Sequence, residues 1–257
     1  MTNDTTAASS TPTVALVHGA FADSSGWIGV IQFLRAAGIR AVAVSNPLRG
    51  ITEDTAYVAS ALAQIAGPVL AVGHSYGGAV ISNAAVTAGN VVGLVYVSAF
   101  APDEGEKLVE IESGSTDSVL GTALVQQQYP VGAGREPVVE FLIDPAKFHQ
   151  VFAADLSEAQ AADMAATQRP VSSRAFAEPN GAPAWKTLPS WAVVSTGDTA
   201  AGSDVVRWMA KRAGAAITEA EGSHVLFVAR PKVVADVVLQ AISTLTQATP
   251  APIRAAV

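Results

Sequence analysis

The chain of 257 residues carries 15 Lys and Arg against 22 Asp and Glu, a formal charge of −7, with half its residues apolar and a mean hydropathy of +0.34. Only 14% of residues are charged, too few for a solvated disordered chain, and the acidic balance argues against nucleic-acid binding because little would displace counterions from phosphate. The absence of cysteine excludes a disulfide framework, a thiol nucleophile and a thiolate zinc site.

Residues 1–12 are small and polar and read as a loose tail, as do the Ala- and Pro-rich residues 248–257. The first of these has no basic stretch followed by an apolar one, so no export signal is expected and the cytoplasm is the expected location. Between the tails, short β-branched runs alternate with longer amphipathic ones. Strands are expected at Val14–His18, Ala41–Val44, Val69–Gly73, Val91–Ser98, Trp191–Thr196 and Ala215–Ala220, each with little alternation, as for parallel strands covered on both faces. Helices are expected at Gly26–Ala37, Thr52–Ala66, Tyr76–Ala88, Ser203–Arg212 and Pro231–Leu245. Gly38, Gly67, Gly89 and Gly214 stand where helix ends favour glycine, and Pro231 suits a first helical turn. Alternating strand and helix imply an α/β class fold with a doubly wound, mostly parallel sheet.

Between Asp54 and Asp103 lie 48 residues without Asp, Glu, Lys or Arg. Gly67-Pro68, the Gly73–Gly78 run and Gly89-Asn90 interrupt them, so the stretch reads as buried strand, helix and strand rather than a membrane span. The alternation then stops from Ala101 to Pro189. That segment has helical stretches of its own at Pro145–Ala153 and Ser157–Gln168, the second opening with Ser157 and Gln160 at capping-box spacing. It reads as an inserted helical cap, residues 101–189, on a core formed by 13–100 and 190–247. The cap holds 6 basic and 13 acidic residues, so the whole formal excess of negative charge belongs to it.

Gly73-His74-Ser75-Tyr76-Gly77 matches G-x-S-x-G with a strand before it and an apolar helix after it, the context of a nucleophile elbow. Such a turn lifts Ser75 above the sheet edge, and the helix start behind it offers unpaired N–H groups to a developing anion. His18-Gly19-Ala20-Phe21 follows the first strand, so the oxyanion donors are expected to be the backbone N–H groups of Tyr76 and Ala20, with Phe21 the alternative to Ala20. A serine hydroxyl needs a base, and only four histidines exist. His18 and His74 read as loop ties and His149 as a cap-helix residue. His224, after the last strand in Glu221-Gly222-Ser223-His224, is the expected base. Its carboxylate partner is expected to be Asp198, with Asp103 the rival, while Asp204 reads as a first-turn helix residue; the chain order Ser75, Asp198, His224 suits a Ser-Asp-His triad.

With Leu16-Val17-His18-Gly19-Ala20, Gly73–Gly78, Asp198, Gly222-Ser223-His224, Arg207-Trp208-Met209 and Arg230-Pro231 in place, the chain resembles α/β-hydrolases of the compact branch that includes bacterial esterases, plant methylesterases and hydroxynitrile lyases. The resemblance implies a Ser75–His224–Asp198 triad, an Ala20/Tyr76 oxyanion hole, and cofactor-free hydrolysis of small-molecule carboxylic esters through an acyl-enzyme. The alternatives on the same site are a cofactor-free haloperoxidase or perhydrolase, a hydroxynitrile lyase, and a non-catalytic ligand receptor. The lyases of the branch place lysine directly after the catalytic histidine, where this chain has Val225. Phe21, Trp27, Tyr76 and Val225 are the expected pocket residues, with the cap aromatics Tyr129, Phe141, Phe148, Phe152 and Trp185 divided between pocket and cap core. No metal or nucleotide motif is present, and neither nucleic acid nor membrane is an expected partner.

Overall fold

The structure, a computed structural model, describes residues 11–248. The tails expected at 1–12 and 248–257 therefore lie outside the described residues, apart from Thr11 and Pro12 and from Ala248, which ends the last helix.

In chain order the first half comprises β1 (Thr13–Val17), α1 (Ile28–Ala36), β2 (Ala41–Val44), α2 (Ile51–Ala63), β3 (Val69–His74), α3 (Tyr76–Ala88) and β4 (Val91–Val97). An inserted segment follows, with α4 (Leu108–Ser113), β5 (Leu124–Tyr129), β6 (Val138–Ile143), α5 (Pro145–Phe152), α6 (Glu158–Thr167), β7 (Val171–Ser172) and α7 (Arg174–Ala177). The chain then returns through β8 (Ser190–Ser195), α8 (Ser203–Arg212), β9 (Ala216–Ala220), α9 (Leu226–Ala229) and α10 (Pro231–Ala248). The main sheet has the order β2-β1-β3-β4-β8-β9, and every neighbouring pair is parallel. The chain thus starts one strand in from an edge, adds that edge as β2 and then builds the sheet in the other direction, a doubly wound α/β sheet.

The charge-free stretch is the centre of this sandwich. All six residues of β3 are buried, and so are the ten residues from Tyr76 to Ala85 on α3. Helix α3 is apolar on nearly all sides because it packs against α2 as well as the sheet, while α1 and α10 pack on each other. Each Val, Leu or Ile buried there contributes about 1.5–3 kcal/mol, and a lysine or glutamate would leave a charge without solvent or partner. Helix α3 ends on Gly89 at φ 74°, the left-handed geometry that glycine adopts without strain.

The inserted segment departs from the expected helical cap. Besides α4 to α7 it carries a three-stranded antiparallel sheet of order β5-β6-β7, with Leu124 opposite Ile143 and Tyr129 opposite Val138. Strand β5 reads Leu-Val-Gln-Gln-Gln-Tyr, and its exposed glutamines erase the alternation that marks a strand in sequence. Helices α5 and α6 lie where expected; Asp144 caps the first and the Ser157–Gln160 capping box opens the second. Arg49 ties this small sheet to the core. It pairs with Glu140 on β6 at 2.8 Å and lies over the Tyr129 ring at 4.4 Å.

Candidate active site

Ser75 sits between β3 and α3 at φ 53°, ψ −126°, a positive-φ backbone geometry that costs a non-glycine residue of order 1–3 kcal/mol. The surroundings hold it there. Its N–H donates to Val97 O at 3.3 Å, and its carbonyl accepts from Gly78 N at 2.9 Å and Phe100 N at 3.1 Å. The turn also needs its glycines. A Cβ on Gly73 would stand 2.6 Å from Gly77 O, and one on Gly77 would stand 2.6 Å from Val17 O, so the elbow closes only with hydrogen at both positions.

Val17 and His18 therefore lie directly against the elbow, and Gly19 continues the contact, since a Cβ there would come within 2.6 Å of Ser75 Cβ. Phe21, two residues on, is held at φ 59°. The His18 ring fixes this loop from behind. Its Nε2 accepts from Asn46 N–H at 3.0 Å, its Nδ1–H donates to Gly19 O at 2.9 Å, and Asn46 Nδ2 donates to His18 O at 3.1 Å. Burial pushes the imidazole down to about 4, consistent with a neutral ring whose unprotonated nitrogen is committed to a backbone donor.

His224 follows β9, and its Nδ1–H donates to Asp198 Oδ2 at 2.8 Å. That bond selects the tautomer with Nε2 unprotonated. The other carboxylate oxygen, Asp198 Oδ1, accepts from Ala200 N at 2.9 Å and Ala201 N at 3.0 Å, so the acid is fixed at both oxygens by the loop after β8. Ser75, His224 and Asp198 are 6, 2 and 1% exposed, which leaves little water to weaken the pair. Asp103 is placed elsewhere. It forms an ion pair with Lys186 that holds its carboxyl below the usual range, and the structure gives it no contact with His224. Asp204 lies in the first turn of α8 and accepts from Ser115 Oγ and Thr116 N.

The remaining histidines serve as ties. His74 Nε2–H donates to His224 O at 3.0 Å, its ring 4.6 Å from that of His224, and burial beside His224 drives its pKa well down. His149 bonds Leu156 O at 2.9 Å within the inserted segment. The sequence reading missed one contributor entirely. Asp155 accepts from Ser223 N at 2.9 Å and from Ser223 Oγ, clamping the His224 loop from the inserted segment. Its surroundings, Ala-Ala-Asp-Leu-Ser, carry no motif that could have announced it.

The expected pocket residues fall differently. Trp27 is fully buried against Phe227, with ring centroids 4.4 Å apart, and is core. Tyr76 is also fully buried, its hydroxyl donating to Asp54 Oδ2 at 2.7 Å rather than facing a substrate. Val225 is likewise fully buried, and Phe21 lines a small cavity of about 140 Å³. A larger cavity of about 400 Å³ lies within the inserted segment, walled by Val109, Glu112, Val119, Leu124, Phe141 and Phe176, together with serine and threonine hydroxyls. The sequence could not order these residues around one space because they come from five separate elements and loops. Among the cap aromatics, Phe152 packs on the rings of His224 at 4.9 Å and Phe148 at 5.0 Å. Among the described residues no group of three or more His, Cys, Asp or Glu side chains is disposed to hold a metal ion, and no helix is long and apolar enough to cross a membrane.

Known proteins agree with this architecture. No curated protein sequence matches the chain significantly. Among solved structures, a polyneuridine aldehyde esterase superposes with a TM-score of 0.76 at 19% identity, over 90% of this chain and 99% of its own. A methylesterase from Arabidopsis gives 0.73 at 18%, over 91% and 99%, and a pyrethroid hydrolase 0.71 at 22%, over 92% and 99%. At these identities the likeness is one of fold. A family model described as the alpha/beta hydrolase family matches residues 14–237, and the chain belongs to that family.

Proposed function

We propose that the protein is a serine hydrolase of small-molecule carboxylic esters, with Ser75 as nucleophile, His224 as general base and acid, and Asp198 as the carboxylate that orients the base. The observation that carries this reading is the buried Asp198–His224 hydrogen bond of 2.8 Å beside a serine held at φ 53° on a strand-to-helix elbow. The Ser75 hydroxyl has no hydrogen-bond partner among the described residues, and catalytic hydrogen bonds of this kind commonly tighten only with substrate in place.

In the reaction, Ser75 Oγ attacks the acyl carbon while its proton passes to His224 Nε2. Asp198 stabilises the imidazolium that forms. The oxyanion is received by the N–H of Tyr76, first residue of α3 and without an intrahelical acceptor, and by that of Ala20 or Phe21. The alcohol leaves with the proton from His224. Water, deprotonated by the same imidazole, then releases the acid and restores the serine. Residues 101–189 act as the cap over this site, and their net negative charge biases the entrance against anionic substrates. The test is hydrolysis of short p-nitrophenyl esters by the protein and by Ser75→Ala. Loss of at least about 10³-fold in kcat is expected for the variant, and retention of activity by a folded Ser75→Ala protein would exclude the mechanism.

A further inference from the structure

We infer, on the ester-hydrolase reading above, that Glu112 forms a recognition subsite for the non-reacting arm of the substrate, and that this arm is an apolar frame bearing a protonated amine. In the cavity of about 400 Å³, Glu112 is the one ionisable side chain in a wall dominated by Val109, Val119, Leu124, Phe141 and Phe176. None of Ser75, His224 and Asp198 lines this cavity, but its walls contact residues next to them in two places. Phe176 stacks on Phe21 and packs on Tyr76, each with centroids 6.4 Å apart, and these residues follow the oxyanion loop and the nucleophile. On another side, Ser118 Oγ donates to Ala200 O at 2.6 Å and Val119 N to Thr199 O at 2.9 Å, the two residues after Asp198.

Glu112 lacks what the neighbouring carboxylates have. Glu106 pairs with Arg212 and Glu140 with Arg49, whereas no lysine or arginine among the described residues pairs with Glu112. Its contact with Ser118 Oγ is long, 3.4 Å, and that hydroxyl has a much shorter acceptor in Ala200 O. The Glu112 carboxyl is raised above its ordinary range, chiefly by burial, with Ser118 and the field of His224 offsetting part of the rise. A carboxylate on an apolar wall is unfavourable without a partner, and the half-open cavity beside it is large enough to receive one on a ligand. A ligand anion would be repelled. A purely hydrocarbon arm would strip water from the carboxylate and return nothing. An ammonium at the end of, or within, an apolar arm satisfies both the wall and the charge.

The experiment compares isosteric esters that differ in one atom. On the alcohol side these are 2-(dimethylamino)ethyl butyrate and 3-methylbutyl butyrate; on the acyl side, ethyl 4-(dimethylamino)butyrate and ethyl 5-methylhexanoate. In at least one pair the wild-type kcat/KM for the amine is expected to exceed that of the hydrocarbon by about tenfold, the lower range for a hydrogen bond to a charged group. In Glu112→Gln, the same side-chain length without charge, that ratio should fall to about one. A wild-type ratio of one or less in both pairs, a ratio unchanged in Glu112→Gln, or equal loss on both members of a pair would overturn the proposal. Absence of turnover of all four esters and of p-nitrophenyl esters would instead count against the hydrolase reading itself.

Discussion

His74 donates its Nε2–H to the carbonyl oxygen of His224 at 3.0 Å, so the residue just before Ser75 holds the backbone of His224. The two halves of the site, 150 positions apart in sequence, are thereby joined by one buried imidazole that stays neutral. Replacing it with His74→Leu removes the donor and lets the His224 loop shift, and displacements of about 1 Å cost up to about 10²-fold in rate. We expect kcat to fall about 10- to 100-fold with KM little changed. His74→Gln, whose amide can reach the same carbonyl, should recover most of the loss. Steady-state kinetics on one ester checks both, and equal impairment of the two variants would contradict the tie.

The assignment of the acid separates two aspartates. Asp198→Asn keeps the shape but favours the wrong His224 tautomer, and kcat should drop by about 10³–10⁴. Asp103→Asn removes only a partly exposed ion pair with Lys186, of a kind that contributes little, and activity should stay within about twofold. The reverse ranking in a side-by-side rate measurement would show that Asp103 is the acid.

Tyr76, the proposed oxyanion donor through its N–H, gives its hydroxyl to Asp54, which also accepts from Arg49 N at 2.9 Å and 3.1 Å. The hydroxyl therefore supports the fold beneath the elbow. Tyr76→Phe should lower stability by about 1–3 kcal/mol through the unmet carboxylate, with kcat within a few-fold. Urea unfolding alongside kinetics tests this; a loss of kcat beyond about 100-fold at unchanged stability would place the hydroxyl in the chemistry.

Acid should weaken the fold through its buried histidines. His18 has a folded pKa of about 4 against 6.5 for a free imidazole. As pH falls from 6.5 to 4, the unfolded chain takes up a proton that the folded one refuses, so stability is lost across that window, by up to about 3 kcal/mol for this group. His74 acts in the same direction. His18→Gln keeps an acceptor for Asn46 N without titrating there, and should flatten the decline. Unfolding free energies measured through the window would refute this if the variant's slope equalled that of the wild type.

The parallel core was legible because its strands are continuous β-branched runs and its helices end on glycine. The elbow was legible because steric closure demands glycine at positions 73 and 77, a requirement written directly in sequence. His224 and Asp198, which the fold brings into hydrogen-bond contact, could be singled out in the sequence because each follows a recognisable strand. The small antiparallel sheet was not, since Gln126, Gln127 and Gln128 hide the period of β5 and its partners depend on tertiary pairing. Trp27 and Tyr76 read as pocket aromatics for a related reason: side-chain direction at a loop or helix start follows from packing, and here packing turns both inward. Asp155 and Glu112 are single acids in an inserted segment, and only the folded chain brings one to Ser223 and the other to a cavity wall.

The proposed nucleophile is Ser75, whose hydroxyl can be trapped covalently. The most direct measurement is reaction with a fluorophosphonate followed by peptide mapping of the modified protein. Stoichiometric modification confined to Ser75 is expected, abolished in Ser75→Ala and strongly slowed in His224→Ala. Labelling at another residue, or no labelling of folded protein that hydrolyses esters, would contradict it.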